Sequence, residues 1–228
     1  MALEAVFLGM NDAGEKVYSW LNDRDDVEVK ALLTEKEQLP LIEEIEPDIV
    51  VSSGFEYKVP KEIIEGPEQG IVNLHTSFLP HNRGSHPNVW SIIEDTPAGV
   101  SIHYMTEEID EGPIIDRKEV RVEPSDTAGK LYDRLQNEMF ELFKENWPDI
   151  KEGVEGEEQT GAVTTHYERE LEEISELDLS EKVETGEFLK KLRGLTWKPY
   201  KNAYFEKYGE RYFVEIDITP ESELNPGS

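Results

Sequence analysis

The sequence predicts an α/β fold: a mostly parallel sheet with helices on both faces, followed by a small α+β unit. Short apolar runs alternate with helical patterns up to about residue 150, which is typical of strands joined by crossover helices. Residues 151–165 are then rich in Gly and Glu and hold almost no large apolar side chain, which indicates a crossing to a second unit. For a chain of 228 residues we expect one unit at 1–155 and another at 156–228.

The first half of the large unit alternates strand and helix. It begins with a predicted strand at Leu3–Leu8, a tight turn at 9–14 and a helix whose apolar residues include Val17 and Leu21. The elements expected next are a strand at 26–33, a helix at 39–45 ended near Pro47, a buried strand at 48–52 broken by Gly54, a short helix at 60–64 with Pro at its entry, and a strand at 70–75.

The second half continues the alternation. We expect a helix at 87–93 closed by Thr96-Pro97, then strands at 99–105 and 113–122. A long amphipathic helix is predicted at 127–143, with Ser125 or Asp126 as its cap. Its apolar stripe consists of Leu131, Leu135, Met139 and Leu142.

The C-terminal unit has fewer clear patterns. We expect a helix at 185–192 and two strands, at 202–205 and 211–218, around a hairpin turn at Tyr208-Gly209. The tail, 220–228, is expected to be frayed. Four aromatic residues of these strands could bury a homodimer contact or pack within their own unit, and the sequence leaves both open: Tyr204, Phe205, Tyr212 and Phe213.

The net charge disfavours two classes of partner. With 51 acidic and 23 basic residues the chain carries −28, which repels phosphates and anionic membrane surfaces, so we expect no nucleic acid and no membrane as partner. Acidic residues spread along the whole chain favour a surface adapted to a high-salt cytoplasm. The chain has no Cys, no basic leader and no apolar run of membrane-spanning length, so we predict a cytoplasmic location.

Asn73 and His75 lie two residues apart on the predicted strand at 70–75, so their side chains share a face. They come where that strand ends and the loop 76–84 begins, and open parallel sheets bind ligands at this edge. A His moves protons near neutral pH, and an Asn amide donates to a developing oxyanion. The pair suits acyl transfer, although a His satisfied at a strand end would show the same spacing.

Asp110 and Arg83 are the charged candidates. Asp110 follows the predicted strand at 99–105, in a turn where Gly112 frees the backbone. A neighbouring strand end would bring its carboxylate to His75 and orient the ring; a solvated acid is the alternative. Arg83 is one of few basic residues and could bind an anionic substrate group with both arms of its guanidinium, or form a structural ion pair.

The other motifs are weaker indications of function. The Gly9–Gly14 spacing resembles a phosphate-cradling turn but lacks the remaining residues of the known motifs. Trp90 and Trp147 are predicted to be core residues. The remaining histidines that could suggest a metal lack the spacing of metal ligands, so we expect no metal site: His81, His86 and His103.

Together these residues form a pattern that resembles a known family. Its elements are Asn73-Leu74-His75-x-Ser77-x-Leu79-Pro80-x-x-Arg83-Gly84-x-x-Pro87, then Gly99-Val100-Ser101-Ile102-His103-Tyr104-Met105, then Ile109-Asp110-x-Gly112-x-Ile114-Ile115. The pattern resembles the formyltransferases that use 10-formyltetrahydrofolate, which include glycinamide ribonucleotide, methionyl-tRNA and nucleotide-sugar amine formyltransferases. The resemblance extends from the first strand to about Val122, and it implies a Rossmann-like N-terminal domain.

The resemblance implies a mechanism without metal. An acceptor amine attacks the formyl carbon, Asn73 and His75 stabilise the tetrahedral oxyanion, and Asp110 positions His75 and helps remove the amine proton. In the family the pterin lies in a backbone-lined cleft, and the matching positions here are Phe55, Tyr57, Lys58, Val59, Thr106, Glu107 and Ile109. We expect substrate contacts from the neighbouring turn and loop residues Gly9, Asn11, Ser77, Arg83 and Gly84.

The C-terminal sequence bears on the acceptor. Residues 164–167 and 192–205 resemble the region that follows the catalytic domain in nucleotide-sugar formyltransferases. The expected function is therefore transfer of a formyl group from 10-formyltetrahydrofolate to a small-molecule primary amine, on a nucleotide-linked amino sugar. Three alternatives stay open: a methionyl-tRNA formyltransferase-like enzyme, a 10-formyltetrahydrofolate hydrolase, and a non-catalytic folate- or nucleotide-binding module.

Overall fold

A computed structural model describes residues 2–224 of the chain. The strands are β1 (Leu3–Leu8), β2 (Val27–Leu33), β3 (Ile49–Ser53), β4 (Ile71–His75), β5 (Arg83–Gly84), β6 (Gly99–Tyr104), β7 (Ile114–Glu119), β8 (Thr165–His166), β9 (Tyr204–Lys207) and β10 (Glu210–Phe213). The α-helices are α1 (Asp12–Asn22), α2 (Leu41–Ile45), α3 (Lys61–Ile64), α4 (Pro87–Ile93), α5 (Ala128–Ile150), α6 (Glu168–Ser175), α7 (Thr185–Leu195) and α8 (Glu221–Leu224).

The central sheet has six strands in the order β2-β1-β3-β4-β6-β7. The first four are parallel, and β6 and β7 are antiparallel to their neighbours. The predicted α/β class with a mostly parallel sheet is confirmed. The antiparallel direction of β6 matters for the site, because its carboxyl end lies beside the beginning of β4 rather than beside its end.

Helices cover both faces of this sheet. On one face α1, α4 and α5 pack on a cluster that includes Phe7, Val51, Leu74 and Trp147. On the other face, α2 and α3 pack on a smaller cluster that ends at Ile71. Burying a large apolar side chain contributes about 1.5–3 kcal/mol, so the first cluster holds most of the stabilisation. Trp90 and Trp147 are both buried, as predicted for core residues.

Helix α5 differs from its prediction at both ends. Its N-cap is Thr127, whose hydroxyl accepts from Lys130 N, so the expected caps at Ser125 and Asp126 are wrong. Asp126 instead receives both arms of the Arg134 guanidinium at 2.7 and 2.9 Å. The helix continues seven residues past the predicted end at 143 and includes Pro148, because the fully buried Trp147 and Ile150 still pack on the first cluster.

The segment after α5 is more ordered than a linker. Glu157 forms an isolated antiparallel bridge with Ile114, and β8 pairs in parallel with β5 in the loop after β4. Helix α6 was not predicted, since its sequence is mostly charged. A third cluster with Leu177, Leu192 and Leu195 joins α7 to the C-terminal hairpin of β9 and β10. Of the tail expected to be frayed, 221–224 form α8 and 225–228 lie outside the described residues.

Candidate active site

The site lies on the face of the sheet where the second helical layer stops. Side chains of Ile71, Asn73 and His75 share one face of β4, and only Ile71 belongs to the apolar cluster under α2 and α3. His103 of β6 is paired with Asn73, so it projects from the same face. Polar groups therefore replace the apolar layer at β4 and β6, and loops rather than helices cover them.

The loop between β6 and β7 brings a carboxylate over these groups. Because β6 is antiparallel to β4, this loop starts far from His75 and must fold back to reach it. A Cβ on Gly112 would lie 1.8 Å from the carbonyl oxygen of Tyr104, so the fold-back requires glycine there. Asp110 has a φ of +52°, in the left-handed region that Asp tolerates better than most residues.

The carboxylate of Asp110 contacts His75, His103 and Gly84, and more distantly Asn73. Its Oδ2 lies 3.5 Å from Nε2 of His75 and accepts a 2.8 Å hydrogen bond from the backbone N–H of Gly84, and its Oδ1 lies 3.4 Å from Nε2 of His103. Burial by itself raises the pKa of Asp110, but the charges of His75 and His103, when their rings are protonated, and the hydrogen bond from the backbone of Gly84 outweigh it. The pKa of Asp110 is therefore held below its ordinary value, and the group is a carboxylate at neutral pH.

His103 is a site residue that sequence reasoning considered only as a metal ligand. Its Nδ1 lies 2.9 Å from the carbonyl oxygen of Tyr104, which can only accept, so Nδ1 carries the hydrogen. In the neutral ring Nε2 then accepts from Asn73 Nδ2 at 3.1 Å. Asn73 Nδ2 is 3.5 Å from Asp110 Oδ1, the outer limit of a hydrogen bond, which leaves its second N–H available to a ligand.

His75 is held by the loop that follows it. Its Nε2 lies 3.3 Å from the carbonyl oxygen of Asn82, so in the neutral ring this nitrogen carries the hydrogen. The lone pair is then on Nδ1, where the ring can accept a proton. The resulting cation would lie beside the Asp110 carboxylate, which stabilises it. The structure thus brings together Asn73, His75 and Asp110.

Two of the expected substrate residues are engaged in the protein itself. Ser77 is fully buried and its carbonyl oxygen accepts from Ser101 Oγ, so its side chain offers no open surface here, and its contact with a substrate stays a prediction. The guanidinium of Arg83, with a side chain 8% exposed, donates to Glu111 Oε1 at 2.6 Å and to Gln159 Oε1 at 2.9 and 3.2 Å. The structural ion pair, the alternative left open for Arg83, is the arrangement present.

The other three expected residues shape the backbone around the site. Gly84 donates to Asp110, as above. Asn11 is the N-cap of α1, with Oδ1 accepting from Gly14 N and Ser53 Oγ, both at 2.8 Å. Gly9 has a φ of +78°, and a Cβ there would lie 2.4 Å from the nitrogen of Phe55. The turn after β1 is therefore packed directly on the segment after β3.

The two segments expected to line a pterin cleft border the same apolar cluster. Phe55 and Met105 both pack against the cluster under α2 and α3. Tyr57 and Ile109 expose 40% and 47% of their surface, so both offer open apolar surface near the site. Val59 is buried in that cluster, so only its backbone is available to a ligand. The other three expected positions are exposed: Lys58, Thr106 and Glu107.

An aromatic cluster missed by sequence reasoning lies at the beginning of α5. The Trp197 ring packs on Tyr132 at 4.7 Å, on Tyr200 at 5.3 Å and on His86 at 6.0 Å between ring centroids. Burial, with Asp12 as a smaller cause, raises the pKa of Tyr132 to about 12. Tyr200 is 57% exposed, so one side of the cluster is open. The signal in the sequence was the Thr-Trp-x-Pro-Tyr motif at 196–200.

Within residues 2–224, no group of three or more His, Cys, Asp or Glu side chains is arranged to hold a metal ion. No helix in the same part of the chain is long and apolar enough to cross a membrane.

An amide, an imidazole and an ionised carboxylate on one face of a mostly parallel α/β sheet define an enzyme of the acyl-transfer type. The chain belongs to the formyl transferase family, whose sequence profile matches residues 21–146, more than half of the chain. A second profile, described as the N-formyltransferase dimerization C-terminal domain, matches residues 170–220. The predicted boundary between residues 155 and 156 stays a prediction.

Relatives of known name agree with this family. A dTDP-4-amino-4,6-dideoxyglucose formyltransferase of Mycobacterium tuberculosis is 34% identical over 76% of this chain and 74% of its own length. A methionyl-tRNA formyltransferase of Bacillus subtilis is 33% identical over 84% of this chain, which spans 62% of that protein.

Several solved structures are similar, and two of them bear on the substrate. A sugar N-formyltransferase from Mycobacterium tuberculosis superposes with a TM-score of 0.87 and 29% identity, over 97% of this chain and 99% of the other. A formyltransferase from Anoxybacillus kamchatkensis superposes with a TM-score of 0.61 and 31% identity, over 75% of this chain and 88% of the other. That structure holds UDP-4,6-dideoxy-4-formamido-L-AltNAc and tetrahydrofolate.

Proposed function

We propose that the protein transfers the formyl group of 10-formyltetrahydrofolate to the primary amine of a nucleotide-linked amino sugar. The observation that carries the proposal is the convergence of Asn73, His75 and Asp110 on one face of the sheet, with the carboxylate 3.5 Å from the imidazole. The reaction forms one C–N bond to the acceptor and breaks the C–N bond to N10 of the folate, and the proton lost by the amine ends on N10. No oxidant, reductant or metal takes part.

Each of the three side chains has a role that its contacts support. The second N–H of the Asn73 amide can donate to the oxygen that gains negative charge, which is the kind of stabilisation that accelerates acyl transfer most. His75 can take or give a proton at Nδ1. Asp110 holds negative charge beside His75 and so stabilises the ring while it carries the extra proton.

The folate would lie against the segments after β3 and β6. Open apolar surface on Tyr57 and Ile109, next to backbone of Phe55 and Val59, fits a planar ring bound largely through main-chain groups. The Anoxybacillus structure, which contains tetrahydrofolate, supports the same co-substrate for this chain. Gly9 keeps the turn after β1 close to Phe55, so that turn borders the proposed folate site.

A nucleotide-linked sugar is supported by the relatives and by the aromatic cluster. One relative is named as a formyltransferase of a dTDP-linked amino sugar, and one similar structure contains a UDP-linked sugar. The exposed side of Trp197 and Tyr200 offers an aromatic surface on which a base can stack, and stacking on aromatic side chains is worth about 1–3 kcal/mol per base in single-stranded nucleic acid complexes.

The test is a screen of dTDP- and UDP-linked amino sugars with 10-formyltetrahydrofolate, followed by mass spectrometry for addition of a formyl group. We expect one of them to be formylated and the product to be lost in Asn73→Ala, His75→Ala and Asp110→Ala. Asn137→Ala, on the exposed face of α5, is the control and should retain full activity. Full activity in any of the three site variants would refute the roles given above.

A methionyl-tRNA substrate is the second candidate, since the Bacillus subtilis relative is 33% identical over 84% of the chain. Formylation of charged initiator tRNA at low salt tests it, and activity there without activity on any amino sugar would replace the first proposal. The charge of −28 favours the small substrate, because a polyanion is repelled by an acidic surface. Formate released without any amine would instead indicate a hydrolase.

We also propose that the protein forms a homodimer and acts in the cytoplasm. The dimerization profile over residues 170–220 supports the dimer, and so do exposed aromatic side chains on the C-terminal hairpin. Tyr212 and Phe213 of β10 expose 41% and 51% of their surface. Light scattering after gel filtration should give twice the chain mass of 26.2 kDa, and Phe213→Asp should shift it to the monomer.

A further inference from the structure

His166 lies outside the three-residue site and is not used in the mechanism above. It is buried, and both nitrogens of its ring face carboxylates: Nδ1 lies 2.8 Å from Glu170 Oε2 and Nε2 lies 3.3 Å from Glu94 Oε2. Because carboxylate oxygens only accept, the ring satisfies both contacts when both nitrogens carry hydrogen. The ring is also stacked on Trp90, 4.0 Å between centroids and 9° between planes.

The ring is thus attached to two helices. Glu94 is the C-cap of α4, Trp90 is in the middle of α4, and Glu170 is in α6. The stacked contact with Trp90 restricts the rotation of the ring as well as its position. Such a fixed side chain also fixes the backbone of its own strand, β8.

The backbone of residues 164–166 is hydrogen-bonded to residues 82–85 of the loop that follows β4. Ser85 N donates to His166 O and Arg83 N donates to Thr164 O, both at 2.9 Å. Asn82 N donates to Thr164 Oγ1 at 2.7 Å, and Thr164 Oγ1 donates to Asn82 Oδ1 at 3.0 Å. The two segments are also closely packed, because a Cβ on Gly84 would lie 2.3 Å from the His166 carbonyl oxygen.

Two groups of that loop touch the catalytic side chains. The Asn82 carbonyl oxygen contacts His75 Nε2, and the Gly84 N–H donates to Asp110 Oδ2. We infer that His166, held between Glu94 and Glu170, is a positioning residue that fixes the 82–85 loop and through it the imidazole of His75 and the carboxylate of Asp110. The expected effect on kcat rests on the proposed function. The expected effect on the order of the 82–85 loop does not.

The test compares His166→Gln and the double variant Glu94→Gln/Glu170→Gln with the parent. We expect kcat to fall between about tenfold and a hundredfold, because small displacements of reacting groups cost that much, while KM for both substrates stays within about twofold. Amide hydrogen exchange at Gly84 and Ser85 should become about tenfold faster or more, which follows from losing hydrogen bonds that retard local opening. Thr164→Ser, which keeps the hydroxyl, should retain the activity that Thr164→Val loses.

Matched controls separate positioning from general stability. Glu173→Gln changes an exposed residue of α6, the helix that also carries Glu170. It should leave kcat and amide hydrogen exchange as in the parent. Unchanged exchange at Gly84 and Ser85 would overturn the inference, as would a kcat that falls only in proportion to the folded fraction. If the parent shows no formyl transfer, the proposed function fails, and the exchange measurement still decides whether His166 holds the loop. If His166→Gln does not fold, the double Glu variant decides alone.

Discussion

The backbone N–H of Gly84 donates a 2.8 Å hydrogen bond to Oδ2 of Asp110, and this bond joins the two loops that cover the site. One loop follows β4 and carries Gly84; the other follows β6 and carries Asp110. Since Asp110 Oδ2 also faces His75, a single oxygen atom links the His75 imidazole to the loop that follows it. The geometry of His75 and Asp110 therefore depends on both loops, which leave opposite ends of the β4–β6 pair.

Replacing the Asp110 carboxylate by an amide should stop catalysis without unfolding the protein. Asp110→Asn keeps the size of the side chain but removes the charge that stabilises protonated His75, and positioned acid–base groups contribute about 10²–10⁴-fold to rates. We expect kcat to fall by about a hundredfold or more, measured by formyl transfer to the amino sugar. Asp116→Asn on β7 is the control, and a similar loss in that variant would contradict a specific role for Asp110.

The depressed pKa of Asp110 predicts how its contribution to stability depends on pH. The unfolded carboxyl titrates near 3.9 and the folded one lower, so below about pH 5 the unfolded state binds more protons and stability falls with the pH. Above pH 5 this contribution is fully present. Urea unfolding of the parent and of Asp110→Asn should give free energies that converge between pH 5 and pH 3. A constant difference over that range would show that Asp110 has an ordinary pKa.

The sequence was sufficient for the part of the site that depends on one strand. The two-residue period of a strand places Asn73 and His75 on one face, and their position at the end of β4 follows from the apolar pattern. The mostly parallel sheet also follows from strands alternating with helices. These features are local, so local patterns predict them.

The rest of the site depends on pairing that no local pattern records. Asp110 reaches His75 only because β6 is antiparallel and its loop folds back, and the apolar alternation of β6 is the same for either direction. His103 is placed beside Asn73 by the register of that pair. The two-residue strand β8, with Thr165 and His166, is too short to give a periodic signal, so its segment was interpreted as part of a crossing.

The fold-back of the second loop gives a test that involves no charge. Gly112→Ala would place a Cβ 1.8 Å from the Tyr104 carbonyl oxygen, so either the loop or β6 must move and Asp110 moves with it. We expect a lower melting temperature and loss of most activity. Gly186→Ala is the matched control: its Cβ would have no neighbour within 4 Å, and Ala in a helix is worth up to about 1 kcal/mol over Gly. Equal melting temperatures for the two variants would contradict the close approach.

The acidic surface predicts that salt stabilises the protein. Acidic residues outnumber basic ones by 51 to 23, so the surface charge repels itself. This repulsion weakens as the Debye length falls from about 10 Å at 0.1 M salt to about 3 Å at 1 M. Salt also weakens surface ion pairs such as those of Lys30 with Glu4 and Glu28, but solvent screening leaves such pairs little net contribution to stability. Repulsion should dominate, and the melting temperature should rise steadily from 0.1 to 2 M KCl. Sucrose at matched osmolality is the control for exclusion from the surface, and a melting temperature that does not change with KCl would contradict the prediction.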